Sequence, residues 1–312
     1  MYFAFTPDQE ALRSEARRYL EERYPAERVA ELADSTEGWD PASWGELAEL
    51  GWLGVSVPED QGGAGLSFLE EAVLLEELGR ALYPGPYFST VALALPALAA
   101  EERSRVAAGE ARWSAEVEEL VPDLALVDRV VTADGAAPAE GQTLETMDST
   151  RRLGRLAPGP REPLPGGIDR PRLRAALALE AVGVAQRALE YGVAHAKERR
   201  QFGKSIGVYQ AVSHSLVDSF MATELARSLA YWAAWCVAEG DPEQRAAAAA
   251  AAKSYASEAA VSACERSIQV LGGIGFTWEH PLHRYYKRAQ WIQAFDGFPA
   301  TQRAEVADLL LA

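Results

Sequence analysis

A long helical pattern in this chain stops at Glu198-Arg199-Arg200-Gln201-Phe202-Gly203-Lys204-Ser205-Ile206, and Gln210 follows shortly afterwards. Adjacent cations and a glycine turn therefore fall where one helix ends and the next begins. Such a site suits a pyrophosphate, because a guanidinium donates two hydrogen bonds and the amides of a helix N-terminus point outward. A second interpretation remains open, in which the charges complement the dipole of the preceding helix.

A second turn, Gln269-Val270-Leu271-Gly272-Gly273-Ile274-Gly275-Phe276, ends another helical segment. Its glycines let a ligand or a backbone approach closely, and Gln269 supplies a side-chain amide at the same edge. A simple helix C-cap explains the glycines as well. The turn does not follow a predicted strand, so it does not indicate a dinucleotide-binding fingerprint.

Between the two turns, a row of large apolar residues recurs at helical spacing. Its members are Val217, Met221, Leu225, Leu229 and Trp232. We interpret this row as the core face of a helical bundle rather than as a cofactor contact.

The chain divides into three parts by local pattern. Residues 1–100 are predicted to form an N-terminal helical domain, and residues 169–312 a C-terminal helical bundle. Residues 101–168 are rich in proline, and within them Leu124–Val127 and Arg129–Thr132 are predicted strands. This middle part is too short for a well-buried independent barrel, so the fold class is mainly α with a reduced β region.

Composition excludes several classes of function. Thirty basic and 46 acidic residues among 312 give a net charge of −16, which opposes binding to nucleic acid or to anionic membranes. No apolar run is long enough to span a bilayer and no secretory signal is visible, so we expect a cytoplasmic protein. Cys236 and Cys264 read as small buried hydrophobes, and His280 and His283 lack the further ligands of a metal site.

Several segments together resemble the acyl-CoA dehydrogenase family of flavoproteins. They are Trp44–Trp52, Pro58–Gly65, Glu76–Arg80, Glu198–Gln210 and Gln269–Arg288. The resemblance covers all of the chain except much of the middle part. It implies an N-terminal α-domain, a middle β-domain and a C-terminal four-helix bundle, with FAD as cofactor and an acyl-CoA as substrate.

The resemblance also implies how FAD is shared between subunits. In the family the flavin ring lies between the middle domain and the bundle of one subunit, while a neighbouring subunit binds the ADP half. The residues implied for the ADP half are Arg199, Phe202, Gln210, Gln269, Gly272 and Gly273. Arg199 would bind the pyrophosphate, Phe202 and Gln210 would lie near the adenine, and the others would take the ribose–pyrophosphate edge.

This sequence departs from the family in the middle part. The family's Thr-Glu-Pro…Gly-Ser-Asp segment and the Trp-Ile-Thr-like strand that cradle the ring are absent between Glu101 and Gly167. Leu124–Thr132 and Asp148–Arg152 resemble only later strands of that domain. Glu180 stands where a glycine is common, and nothing in the sequence accounts for it.

The catalytic position departs as well. The family's Glu-Gly pair is replaced by Asp296-Gly297, and Phe298 and Ala300 stand where a Thr and a Gln would contact the flavin. The family's alternative base position falls at Leu173, while Arg174 keeps the pattern of a substrate-side arginine. The reaction needs a desolvated carboxylate to remove an α-proton, and Asp296 is one methylene shorter than Glu.

These features predict the short subunit of a heteromeric acyl-CoA dehydrogenase. It would give the ADP half of the FAD site to a longer partner in an α2β2 assembly, of the type known from steroid side-chain oxidation. Two alternatives stay open. One is a self-sufficient homo-oligomeric enzyme with Asp296 as base, and the other is a non-catalytic scaffold.

Overall fold

The computed structural model describes residues 4–311 and is mainly helical, which confirms the predicted fold class. The N-terminal part begins at the capping box of Thr6, whose side chain accepts a hydrogen bond from the Gln9 amide. Its helices are α1 (Pro7–Arg23), α2 (Ala26–Asp34), α3 (Ala42–Glu49), α4 (Phe68–Ala81) and α5 (Ala100–Ala107), with a π-helical segment over Phe88–Ala94.

The middle part consists of two small sheets. Its strands are β1 (Trp113–Ala115), β2 (Val121–Pro122), β3 (Arg129–Thr132), β4 (Gly135–Pro138), β5 (Gly141–Leu144) and β6 (Leu153–Leu156). The sheets have the orders β1-β3-β4 and β2-β6-β5, with β1 parallel to β3. The strand predicted over Leu124–Val127 is wrong. Asp123 has a φ of 55°, and the Leu126 amide donates to its carbonyl, so the chain turns into a 3-10 helix there.

The C-terminal part is a helical bundle. Its elements are α6 (Arg170–Glu198), β7 (Arg200–Gln201), β8 (Lys204–Ser205), α7 (Gln210–Glu239), α8 (Pro242–Leu271), α9 (Leu282–Ala294) and α10 (Pro299–Leu311). Helices α6 to α9 pack on one another, and α10 lies against α8. In residues 4–311 no helix combines the length and the apolar character needed to cross a bilayer.

The apolar row on α7 does not form the core, and that prediction is wrong. Val217, Met221 and Leu225 are more than half exposed, while Leu229 and Trp232 are only partly buried. The buried face of α7 consists instead of small residues. They include Thr223, Ala226, Ala230, Ala233 and Ala234, and the alanines of α8 pack in the same core. Close packing of small residues leaves no room for large side chains between these helices, so the large ones lie on the opposite face.

Helices α4 and α6 meet at their backbones. A Cβ atom added to Gly79 would lie 2.5 Å from the Glu180 carbonyl oxygen, and one added to Gly183 would lie 2.0 Å from that of Glu76. Each glycine is therefore required by a close approach rather than by its own backbone angles. The contact fixes the N-terminal domain on the bundle.

Candidate functional site

The two turns singled out in the sequence lie at the same end of the bundle. Ile206 and Val212, from the first turn and the start of α7, pack on a small apolar cluster that also takes up Val270 of the second turn. The buried members of this cluster are Leu189, Ala196 and Leu216. We call residues 199–210 and 269–276 together the turn end.

The first turn is a tight hairpin. Phe202 and Gly203 join β7 to β8 with φ values of 50° and 77°, as a two-residue type I′ turn requires. The amide of Ile206 donates to the Arg199 carbonyl oxygen over 2.8 Å, which closes the base of the hairpin. The Phe202 ring consequently stands at the tip and is 92% exposed.

The cations of this hairpin are available to a ligand. Among the ion pairs formed within residues 4–311, none involves Arg199, Arg200 or Lys204. Three exposed cations without a carboxylate are notable in a chain with a net charge of −16. Of the three, Arg199 is the residue that the resemblance implies for the pyrophosphate, and its guanidinium carries donors of the kind that such a group binds.

The second turn offers an open backbone surface. Gly272 has a φ of 67° and ends α8, and its amide donates to the carbonyls of Ile268 and Gln269, so the C-cap interpretation is met. Open space also surrounds the Cβ positions of Gly272 and Gly273, which leaves room for a ligand to approach. Gln269 is exposed on the same edge. The two interpretations of this turn are therefore compatible.

A buried ionic cluster lies where the middle part meets the bundle. We call it the junction cluster, and its members are Asp123, Asp148, Arg151, Glu180 and Arg288. The Arg288 Nε donates to Asp148 Oδ2 over 2.6 Å, and Arg151 Nη2 donates to Glu180 Oε1 over 2.6 Å. Glu180, which the sequence left unexplained, thus neutralises Arg151 and lies 3.7 Å from Arg288.

The junction cluster fills the space between aromatic side chains. The Arg151 guanidinium lies over the Phe88 ring at 4.4 Å and over the Trp291 ring at 5.0 Å. Burial raises the pKa of Asp123 to about 6, and the nearby Arg151 charge opposes that rise. Because the Arg151 guanidinium occupies the space over these rings, a planar ligand could enter there only by displacing it.

Asp296 and Arg174, the predicted catalytic residues, lie together inside the bundle. Asp296 is buried, and its two carboxylate oxygens accept hydrogen bonds from Arg170 Nη1 at 2.8 Å and from Arg174 Nε at 2.7 Å. Arg174 also donates to Glu305 over 2.7 Å. Each residue therefore has an ionic partner within the chain, and their roles in catalysis stay predictions.

Sequence reasoning missed the junction cluster. Glu180 is 29 residues from Arg151, and Arg288 is 140 residues from Asp148, so no local spacing relates the partners. The available signal was the unexplained carboxylate in the middle of an apolar helical segment, since such a charge is rarely buried without a partner.

Comparisons with known proteins give the same family for both helical parts of the chain. Residues 6–110 match the family described as "Acyl-CoA dehydrogenase, N-terminal domain", and residues 171–311 match "Acyl-CoA dehydrogenase, C-terminal domain". The sequence is 37% identical over 280 residues to "Acyl-CoA dehydrogenase IpdE2" of Mycobacterium tuberculosis, and the alignment covers 85% of each chain.

Two solved structures are similar over nearly the whole chain. One is a variant of the "Tcur3481-Tcur3483 steroid ACAD", with a TM-score of 0.88, 26% identity, and coverage of 97% of this chain and 98% of that one. The other is the ChsE4-ChsE5 complex from Mycobacterium tuberculosis, with a TM-score of 0.89, 23% identity, and coverage of 100% and 99%. Because only 23% of the residues are identical, the likeness to the ChsE4-ChsE5 complex shows the fold alone.

Proposed function

Since this chain belongs to the acyl-CoA dehydrogenase family, whose members are oxidoreductases that use FAD, we propose that it is the short subunit of a heteromeric enzyme. It binds the ADP half of FAD for a longer partner subunit, which holds the flavin ring and the catalytic base. The assembly is an α2β2 heterotetramer.

A contrast between two regions of the chain, the turn end and the junction cluster, carries this proposal. The turn end has exposed cations that form no ion pair with any residue of 4–311, and it has an open glycine surface. The junction between the middle part and the bundle is closed by the junction cluster and by the guanidinium of Arg151 stacked on aromatic rings. This chain therefore offers hydrogen-bond donors for the ADP half of FAD, whereas a flavin ring at the junction would have to displace the Arg151 guanidinium.

Six residues of the turn end have proposed parts in binding. Arg199 donates hydrogen bonds to the pyrophosphate, and the exposed backbone at Gly272 and Gly273 admits it closely. Phe202 contacts the adenine side, with Gln210 beside it, and Gln269 binds the ribose–pyrophosphate edge. Held by these residues and by the partner, FAD would supply the acceptor for the hydride that leaves the β-carbon of the acyl-CoA.

The proposed substrate is a bulky acyl-CoA, namely a CoA thioester of a steroid side chain. The similar structure at 26% identity bears the name of a steroid enzyme with two components, and ChsE4-ChsE5 is named as a complex. Both names support a two-component assembly here.

Flavin stoichiometry tests the division of labour. We expect this chain, purified alone, to contain little FAD, and the complex with a longer acyl-CoA dehydrogenase homologue from the same genome to be yellow. The ratio of absorbance at 450 nm to that at 280 nm, with the released flavin quantified separately, gives the occupancy. A homo-oligomer of this chain alone with one FAD per subunit would contradict the proposal and favour the self-sufficient alternative.

Asp296→Asn separates the two catalytic schemes. Both oxygens of the Asp296 carboxylate accept hydrogen bonds from arginines, so Asp296 could take a proton from a substrate only if one of these bonds were given up. We therefore expect the rate of dye reduction by the Asp296→Asn complex to stay within about threefold of wild type. Misplacing a catalytic group lowers the rate much more, on the order of 100-fold. A loss of that larger size in a folded complex would instead identify Asp296 as the base.

A further inference from the structure

Four side chains of the junction cluster carry buried polar atoms that no other residue pairs with. Within residues 4–311, no hydrogen bond is made by Asp123 Oδ1, Glu180 Oε2, Arg151 Nε, Arg151 Nη1 or Arg288 Nη1, and we call these the five free atoms. Each of the four residues is at most 2% exposed, so bulk solvent does not reach them. Because buried polar atoms in proteins are nearly always hydrogen-bonded, the five free atoms indicate a ligand between them.

The contacts inside the cluster leave these atoms over. Asp123 Oδ2 accepts a hydrogen bond from Ser89 Oγ over 2.9 Å. Glu180 Oε1 accepts from Arg151 Nη2 over 2.6 Å. Each of these carboxyl groups thus uses one oxygen and leaves the other. Two aromatic rings lie against the Arg151 guanidinium, but an aromatic ring is a weak acceptor for an N–H group. The cluster therefore has two free acceptor atoms and three free donor atoms.

The charges of the junction cluster decide which kind of ligand fits. Its two guanidiniums face three carboxyl groups, those of Asp123, Asp148 and Glu180. A further anion would meet this excess of carboxyl groups, and a metal cation would lie beside unpaired N–H groups. In the part of the chain that the structure describes, no group of three or more His, Cys, Asp or Glu side chains is arranged to hold a metal ion. Water is neutral, and it both accepts from N–H groups and donates to carboxylate oxygens.

The spacing within the cluster is compatible with a bridging water. Arg288 Nη1 lies 3.7 Å from Glu180 Oε1, which is too long for a direct hydrogen bond. Two polar atoms at this separation can both lie at hydrogen-bond distance from one water molecule. Burial raises the pKa of Asp123 to about 6, and the charges of Arg151 and Arg288 oppose that rise, so the Asp123 carboxyl belongs to the same electrostatic group.

We propose that the junction cluster contains an internal water site, in which ordered water bridges Asp123 Oδ1 and Glu180 Oε2 to the free N–H groups of Arg151 and Arg288. A buried water makes about three hydrogen bonds, so five free atoms correspond to about two waters. The site joins the middle part to α6 and α9, which carry Glu180 and Arg288. Its water exchanges with solvent only when these parts separate locally, which makes it long-lived.

A crystal structure of the full-length chain tests the site directly, at a resolution that shows ordered water. We expect density for water within about 3.2 Å of at least two of the five free atoms. A bromide soak, read by anomalous scattering, distinguishes an anion from water. An anomalous peak at this position would overturn the proposal. Direct bonds among the five free atoms, or a well-ordered cluster without density between them, would overturn it as well.

The double variant Arg151→Met/Glu180→Met tests the site in solution, by deuteron magnetic relaxation dispersion, which counts long-lived waters. It removes three of the five free atoms, and it removes both partners of a buried ion pair together, so neither charge is left unpaired. We expect about one or two fewer long-lived waters than in wild type.

The matched control is Arg303→Met/Glu258→Met, which removes an ion pair whose side chains are about half exposed. We expect it to keep the wild-type number of long-lived waters. The wild-type number in a folded Arg151→Met/Glu180→Met variant would contradict the internal site. If circular dichroism shows this variant to be unfolded, the crystal structure of the wild-type chain decides. No outcome depends on FAD or on a partner subunit, so the site stands or falls independently of the proposed function.

Discussion

Replacing Arg199 with alanine is expected to lower the affinity of the assembled enzyme for FAD by on the order of 10- to 100-fold. The hydrogen bonds of a charged donor contribute about 1.5–3 kcal/mol. Arg199 forms no ion pair within the described chain, so no carboxylate there competes with the pyrophosphate for its guanidinium. The assembled apo-complex, titrated with FAD by calorimetry, gives the dissociation constant directly. Flavin content after gel filtration gives a second readout.

Arg200→Ala is the matched control for Arg199→Ala. It removes the same charge from the adjacent residue of the hairpin, which is also exposed. We expect the control to bind FAD within about threefold of wild type, because the loss of one exposed charge without a direct bond contributes little. Unchanged flavin content in Arg199→Ala would favour the scaffold alternative. Equal losses in both variants would show that the field of the hairpin, rather than a bond from Arg199, attracts the cofactor.

Arg288→Met is expected to destabilise the bundle strongly. Arg288 is fully buried and donates to Asp148, to the Thr150 hydroxyl at 2.7 Å and to the Thr150 carbonyl at 2.9 Å. Removing it leaves Asp148 as an unpaired buried charge, at a cost of about 3–5 kcal/mol. Since about 1 kcal/mol shifts the melting temperature by roughly 2–4 °C in proteins of this size range, a fall on the order of 10 °C is expected in scanning calorimetry.

Arg303→Met provides the exposed counterpart of that change. Arg303 pairs with Glu258 over 2.7 Å, and both side chains are about half exposed, so we expect a loss below about 1 kcal/mol. Adding Asp148→Asn to Arg288→Met should recover part of the lost stability, because it removes the unpaired charge. Equal melting temperatures for Arg288→Met and wild type would contradict a stabilising role for the junction cluster.

Local patterns predicted the elements of this chain where they depend on backbone chemistry. The helix end near Glu198 and the glycine turn at Gly203 were predicted from residues only a few positions apart, and the structure has both. The strand assigned to Leu124–Val127 failed because the positive φ of Asp123, rather than the apolar run, sets the local path. Apolar runs of this length do not distinguish a strand from a helical turn.

Patterns of burial were less predictable, because they depend on what faces each residue. The α7 row has the periodicity of a core face, yet Met221 is exposed and Ala230 is buried, since the facing helix offers alanines. The burial of Glu180 likewise depends on Arg151 and Arg288, which lie beside its carboxylate. Size matching and charge pairing between distant segments are tertiary properties, so a single sequence does not reveal them.

The backbone contact of Gly79 and Gly183 limits how this subunit can move. Packed helices slide past one another through their side-chain layer, which repacks as they shift. Helices α4 and α6 have no such layer at these two positions. Sliding along this seam would drive backbone atoms of one helix into those of the other, so we expect an incoming thioester to enter the assembled enzyme along a different boundary.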